Sequence, residues 1–97
     1  MYQIELTPEA IDDLASFRKF DQVRIVDALE NHLTHEPATE TRNRKRLRPN
    51  QLAEWVLRID TFRIFYDVDP TGESVKVIAV GEKKGNDLFI HGERYEL

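Results

Sequence analysis

Two arginines on either side of a short turn are the residues of this sequence best placed to bind an anion. Arg58 and Arg63 flank Asp60-Thr61 in the stretch VLRIDTFRIFYDV, residues 56–68. Two strands joined by a two-residue turn would place Arg58 directly opposite Arg63. Like charges that face each other across a strand pair destabilise it. We therefore expect an anion between them, either an external phosphate or an acid of the C-terminal tail; the residues alone leave both open.

A second candidate for anion binding is a compact basic segment. The formal net charge is −4, with −6 in residues 1–41, −3 in residues 49–97 and +5 in residues 42–48. The basic residues of this segment are Arg42, Arg44, Lys45, Arg46 and Arg48. A cluster of this kind in an acidic chain predicts a local surface for anions, phosphate backbone included. The alternative is a solvated loop whose charges only keep the protein soluble.

Composition narrows the class of protein. The 97 residues, 40% of them hydrophobic, predict a single globular domain over residues 1–97. The absence of cysteine excludes disulfides and thiolate metal sites, and we expect a cytoplasmic protein without signal peptide, membrane span or cofactor. Three histidines that are not spaced as a ligand set with carboxylates predict no metal site: His32, His35 and His91.

The N-terminal third predicts a strand followed by a helical hairpin. Residues 2–6 alternate apolar and polar side chains, and Thr7-Pro8 is a good helix start. The first helix is predicted to reach about Lys19, and the second to run from Asp21 as cap to Glu36-Pro37. The apolar stripes predicted to be buried are Ile11, Leu14 and Ala15 on the first helix and Val23, Ile25, Val26, Leu29 and Leu33 on the second.

The remainder predicts an antiparallel sheet. Strands are expected at 54–60, 62–69 and 75–82, with a brief one at 46–48, and Gly85 and Gly92 interrupt the tail. The first strand is expected at an edge, beside the last of these strands. The fold class is therefore α+β: an N-terminal strand and a helical hairpin on one face of a mainly antiparallel sheet of four to five strands.

Counting residues from the two turns assigns the faces of this sheet. Ile64 is expected opposite Ala79, with one face almost wholly apolar and covered by the helices. The opposite face carries the arginine pair and four apolar residues: Val56, Phe65, Ile78 and Val80. Such a mixed patch predicts a surface that a partner covers. The alternative is that the C-terminal tail covers it.

The order of elements and two segments resemble the RelE/ParE superfamily of toxins from bacterial type II toxin–antitoxin modules. The segments are LRIDTFRIFYDV (57–68) and VIAVGEKKGNDLF (77–89), and the resemblance extends over nearly the whole chain. It implies a toxin that cuts messenger RNA in the ribosomal decoding site without a metal, and a cognate antitoxin that covers the same face. In that chemistry the 2′-hydroxyl attacks the adjacent phosphate, while the protein supplies proton transfer and positive charge.

The resemblance also implies roles for individual residues. Arg63 matches the strand arginine that contacts the scissile phosphate, and Arg58 matches a commonly basic strand position. Lys83 matches a second phosphate-stabilising residue, with the adjacent Lys84 as a neighbouring candidate and an RNA contact. The basic segment would dock on ribosomal RNA, and the apolar patch would face the antitoxin. Members that act on ribosomes often have lysines where this chain has Glu54 and Val56, and a tail tyrosine or histidine where it has Phe89. His91 and Tyr95 are the candidate substitutes for proton transfer.

Three functions follow from this comparison of residues. The first is a ribosome-dependent messenger RNA endoribonuclease. The second is the ParE-like branch of the fold, which inhibits DNA gyrase and has no nuclease chemistry. The third is a toxin-like domain that has lost activity and only binds an antitoxin; the changes at Glu54, Val56 and Phe89 favour the last two.

Overall fold

A computed structural model describes residues 1–96 of the chain as a seven-stranded sheet with two helices. The elements in chain order are β1 Gln3–Leu6, α1 Pro8–Ala15, α2 Lys19–Leu33, β2 Arg44–Arg46, β3 Trp55–Ile59, β4 Phe62–Asp69, β5 Ser74–Lys84, β6 Asp87–Ile90 and β7 Glu93–Tyr95. Strands β2 to β7 lie side by side in that order and are antiparallel, and β1 pairs in parallel with β5. The α+β class and the position of the first strand beside β5 are thus confirmed.

The C-terminal tail adds two strands that the sequence did not predict. Gly85 and Gly92 do interrupt the tail, with φ of 67° and 75°, but each lies in a tight turn. Between and beyond these turns, β6 pairs with the C-terminal end of β5, and β7 pairs with β6. The sheet therefore has more strands than the four to five expected, because short segments joined by left-handed turns carry little periodicity of their own.

The first helix is shorter than its apolar spacing predicts. Thr7 caps it as expected, since its hydroxyl accepts the Ala10 N–H at 3.1 Å. The helix ends at Ala15 instead of near Lys19, and the Ser16 hydroxyl donates to the Asp13 carbonyl at 2.6 Å. A side chain that bonds to the last turn in this way competes with continued helix.

The helices bury only part of the predicted set, although Ile25, Leu29 and Leu33 of α2 are buried as expected. The side chains of α2 that face the sheet are Ile25, Ala28, Leu29 and Leu33. Val23 and Val26 are 55% and 38% exposed, and Ile11 of α1 is 53% exposed. Spacing alone did not set the limits of the buried stripe, because α2 has apolar residues on more than one side and buries Ala28 in place of Val23 and Val26.

A β-bulge in β5 changes the predicted register. Tyr66 lies opposite Val77 as expected, but the register then shifts, so that Ile64 faces Val80 instead of Ala79. Helix α1 and its cap hold this irregularity: the Thr7 hydroxyl donates to the Ile78 carbonyl at 3.1 Å, and the Asp13 carboxylate accepts the Val80 N–H at 3.0 Å. Val80 therefore turns toward the helices, and the expectation that it faces a partner is wrong.

The apolar patch on the other face of the sheet is covered by the protein itself. Val56 and Phe65 are 6% and 1% exposed, and they pack with Ala53, Ala79 and Ile90. Partly buried side chains from the segment before β3, from β5 and from the tail complete this second core: Leu47, Leu52, Ile78, Leu88 and Tyr95. The prediction of an open antitoxin-facing patch at Val56 and Phe65 is therefore wrong, and Ile78 is partly buried at the edge of the same cluster.

No helix of the described residues has the length and apolar character needed to cross a bilayer.

Candidate anion-binding site

The arginine pair has the geometry that the turn predicts. Arg58 of β3 lies opposite Arg63 of β4. The Arg58 N–H donates to the Asn43 carbonyl at 2.8 Å, and the Arg58 carbonyl accepts the Asn43 side-chain amide at 2.9 Å. The backbone groups of Arg58 thus point away from β4, which makes this a non-hydrogen-bonded pair, the kind whose side chains lie closest. The two positive charges share one face at short range.

The contacts of Arg63 with the described residues include no carboxylate. Its Nη1 donates to the carbonyls of Asp60 and Phe62, both at 2.9 Å. Within residues 1–96, neither Arg58 nor Arg63 forms a salt bridge. Partial burial and, after it, the charge of Arg58 lower the pKa of Arg63. Both effects disfavour the cation, and an anion bound between the arginines would offset them.

The arginine pair lies in a groove of about 560 Å³ between the sheet and the tail. We call it the arginine groove; the lining residues that bear on its chemistry are Arg58, Arg63, Lys83, Asp87, Arg94, Tyr95 and Glu96. Lys83, Leu88 and Tyr95 occupy one row across β5, β6 and β7, so pairing of the tail strands places the tyrosine in the same groove as the lysine, with Leu88 between them. The structure thus gathers four of the five predicted catalytic residues in one place.

Arg94 is a groove cation that the sequence analysis missed. Its guanidinium contacts Asp87 at 3.4 Å and Glu96 at 3.6 Å. Among the described residues these are the two carboxylates that line the groove, so the tail covers the apolar patch but directs these acids to Arg94 and not to the arginine pair. The described lining of the groove, with four cations and two acids, is therefore positive. Only the β6–β7 hairpin brings Arg94 here, and nothing in the tail sequence predicted that hairpin.

His91, the fifth predicted catalytic residue, lies in a different groove. Its Nδ1 is 2.6 Å from an oxygen of the buried Asp13. This second groove, which we call the acidic groove, has a volume of about 630 Å³ and contains Glu9, Asp12, Asp13 and Glu82 beside the histidine. Its acids would repel a phosphate. The placement of His91 at a catalytic centre with the arginines is therefore wrong, and Tyr95 is the proton-transfer candidate that the arginine groove contains.

The basic segment does not form a single surface. Arg44 is 8% exposed, and its guanidinium donates to the carbonyls of Thr39 at 2.8 Å and His32 at 2.7 Å. It holds the end of α2 and the following loop against β2, which is a structural role. The prediction that Arg44 contacts RNA is wrong, because a side chain bonded inside the protein is not available to phosphate.

The other basic residues of the segment divide between two sides of the sheet. Arg42 and Lys45 lie in a shallow depression with both arginines of the pair, so they extend the positive surface beyond the arginine groove. Arg46 lies on the other side, 5.6 Å from the centre of the Trp55 ring. Strand alternation produces this division, since neighbouring residues of β2 point to opposite faces.

Two further predicted RNA contacts lie away from the arginine groove. Arg48 is exposed in a depression formed by the 46–54 segment and Asp67. Lys84 lines the acidic groove, with its amine 5.5 Å from the centre of the Phe89 ring. Lys83 and Lys84 therefore serve different surfaces, although they are adjacent in sequence.

Comparison with known proteins identifies the family. The family model for the ParE toxin of the parDE type II toxin–antitoxin system matches residues 4–86. This chain belongs to the ParE toxin family. The match confirms the resemblance to the RelE/ParE superfamily that the strand motifs and the order of elements indicated. No curated protein sequence matches the chain.

A solved structure shares the fold of this ParE family member. The crystal structure of the toxin–antitoxin complex RelBE2 from Mycobacterium tuberculosis contains a chain that matches with a TM-score of 0.73 and 24% identity. The match covers 84% of this chain and 98% of that one. At this identity the likeness shows a common fold.

The positions at which this family member lacks expected polar groups have structural explanations. Val56 is part of the second core. The Glu54 carboxylate accepts the Val68 N–H at 3.4 Å, and the Glu54 N–H donates to Asp67 at 2.8 Å, so this residue joins two strands. Phe89 lines the acidic groove. In residues 1–96, no group of three or more histidine and acidic side chains is placed to hold a metal ion.

Proposed function

We propose that this ParE family member is a toxin that cuts messenger RNA on the ribosome without a metal, and that a cognate antitoxin silences it. The observation that carries the proposal is the arginine pair, which shares one groove with Lys83, Arg94 and Tyr95 and has no internal carboxylate partner in the described chain. A groove of fixed cations is suited to a phosphate that gains negative charge during reaction.

The groove residues divide the chemistry as follows. The RNA supplies its own nucleophile, the 2′-hydroxyl, which attacks the adjacent phosphate and expels the 5′-oxygen of the next nucleotide. Arg63 and Arg58 hold the phosphate oxygens from one side, and Lys83 contributes charge from the end of β5. Tyr95 exchanges a proton with one of the reacting oxygens, because it lines the arginine groove and its phenolic hydroxyl is an uncharged group that can transfer a proton.

The antitoxin proposal rests on the same groove. A structural neighbour was solved as a toxin–antitoxin complex. With Val56 and Phe65 buried, an antitoxin would reach Arg63, Lys83 and Arg94 at the rim, where an acidic segment complements the cations. Arg42 and Lys45 extend the positive surface toward β2 and would contact ribosomal RNA backbone in the uninhibited toxin.

Inhibition of DNA gyrase is the second candidate function. The matching family model is that of the ParE toxin, and the strand positions that would carry lysines hold Glu54 and the buried Val56. In that case the arginine groove would bind a carboxylate or phosphate of the target complex without cutting RNA.

Replacement of Arg63 separates these proposals. With purified ribosomes and a translated message, Arg63→Gln should reduce cleavage by about 10²-fold or more, because one charge-stabilising donor contributes about that much. Lys76→Gln is the matched control, since Lys76 is an exposed cation outside the groove. Expression of the wild-type chain in cells gives a second readout. If relaxed DNA accumulates instead of truncated messages, and the Arg63→Gln variant does not cause this accumulation, gyrase is the target. Full cleavage by Arg63→Gln would refute the role of Arg63 in the chemistry, and absence of cleavage by the wild-type chain would refute the nuclease proposal.

A further inference from the structure

The outward side of α2 carries apolar residues that contribute to neither core. Phe20, Val23 and Val26 are 68%, 55% and 38% exposed. They lie three residues apart along the helix, so successive side chains are neighbours on its surface. We call this surface the α2 outer face. Three clustered apolar side chains on one exposed helix are typical of a surface that another protein covers.

The charges of the α2 outer face are arranged so that the face complements itself. Lys19 lies at its N-terminal end, and the exposed acids Asp27 and Glu30 lie toward its C-terminal end. Other nearby cations are already paired within the chain: Arg18 contacts Asp21, and Arg24 contacts Asp60. The free charges of the face are thus positive at one end and negative at the other.

The spacing of these residues is symmetric about Val23. Phe20 and Val26 lie three residues to either side of it, and Lys19 and Asp27 lie four residues to either side. Consider a second α2 that runs antiparallel across the first and crosses it at Val23. Phe20 of one copy then lies opposite Val26 of the other, and Lys19 of one copy lies opposite Asp27 of the other. Apolar residues then meet apolar residues, and opposite charges meet at both ends.

We propose that two copies of this chain associate through their α2 outer faces, antiparallel and with Val23 on the two-fold axis. A two-fold contact requires a self-complementary patch, which this spacing provides. A partner with one sign of charge would match only one end of the face, whereas a reversed second copy matches both. The contact is limited to one helix of 15 residues, so the dimer is weak and reversible, at the low end of interface sizes.

This inference is independent of the proposed function. The described residues that line the arginine groove come from the sheet, the segment before β3 and the tail, and none lies on α2. Association through α2 therefore leaves the groove open. An Arg63 substitution tests the groove and should not affect the dimer, while a Val23 substitution tests the dimer.

Disulfide trapping tests the geometry directly, since the chain has no cysteine of its own. Val23→Cys in the full-length chain, purified free of other proteins, should form a covalent dimer under mild oxidation. The two copies of a residue on the two-fold axis come within disulfide range of each other, whereas the two copies of a residue far from the axis do not. Thr39→Cys, in an exposed loop position, is the matched control. We expect Val23→Cys to crosslink about tenfold faster or more, because association raises the effective thiol concentration.

Charge reversal tests the antiparallel register. Adding Lys19→Glu to Val23→Cys should slow crosslinking about tenfold, and adding Asp27→Lys to that variant should restore the rate. Crosslinking of Val23→Cys no faster than that of Thr39→Cys overturns the proposal. If, in that case, an added antitoxin protects the introduced thiol, the face belongs to the antitoxin. A rate unchanged by Lys19→Glu would overturn the register.

Discussion

Arg63 differs from the other cations of the arginine groove in what its guanidinium contacts. It donates to two carbonyls at 2.9 Å and lies opposite a second arginine, whereas Arg94 is held by two carboxylates. Carbonyl partners orient a guanidinium without neutralising it. The repulsion between Arg58 and Arg63 is therefore present in the free protein, and an anion placed between them would convert it into attraction.

At the same scale, the two candidate proton-transfer residues can be told apart by substitution. Tyr95→Phe should reduce messenger RNA cleavage by about 10²-fold or more, because it removes the phenolic proton while keeping the ring packed in the second core. His91→Gln should change cleavage little, since its ring contacts Asp13 in the acidic groove. Single-turnover cleavage rates on ribosomes measure both. A large loss of cleavage with His91→Gln and a small one with Tyr95→Phe would instead place the chemistry at His91, in the turn between β6 and β7.

At the scale of elements, the turns determined which predictions succeeded. The two-residue turn at Asp60-Thr61 fixed the β3–β4 register, because side chains alternate with a period of two. The register beyond Tyr66 was not predictable, since the β5 bulge is held by Thr7 and Asp13, which are distant in sequence. The buried side of α2 was predicted in part: Ile25, Leu29 and Leu33 are buried as expected, but Val23 and Val26 fit a helical stripe as well as Ala28 does and are exposed.

The role of Arg44 belongs to this scale, since it connects α2, the following loop and β2. Arg44→Met should lower the free energy of unfolding by about 3 kcal/mol, because the carbonyls of His32 and Thr39 lose a charged donor in a buried place. Arg42→Met, at an exposed position, should change it by less than about 0.5 kcal/mol. Urea unfolding of both variants makes the comparison. Equal midpoints would mean that Arg44 is a surface residue of the basic segment.

The same substitution has a second readout in the pKa of His32. Burial and, after it, the charge of Arg44 lower this pKa below 6.5. The unfolded chain therefore takes up the proton more readily, and the folded protein loses stability as pH falls below about 6.5 and through the folded-state pKa. Arg44→Met should raise the His32 pKa, as followed by NMR titration, and should narrow this acid-sensitive range. A lower or unchanged pKa would contradict the described contact.

At the scale of the whole molecule, the chain separates its charges into two grooves of opposite sign. Within residues 1–96, the arginine groove is lined by four cations and two acids, and the acidic groove by four acids beside Lys84 and His91. A net charge of −4 therefore does not describe the surface that a phosphate meets. The hairpin of the tail brings Arg94 to the arginine groove, and Arg42 and Lys45 extend the positive surface beside it, whereas Arg46 lies on the other side of the sheet.

The most direct test of the account is titration of the full-length chain with inorganic phosphate, followed through the arginine Nε–H signals in NMR. The account predicts that phosphate shifts the signals of Arg58 and Arg63 together. Arg63→Gln should weaken binding about tenfold or more, since one charge-assisted contact contributes about that much, while Lys76→Gln should leave it unchanged. Equal phosphate affinity in the wild-type chain and in Arg63→Gln would contradict the claim that the opposed arginines form an anion site.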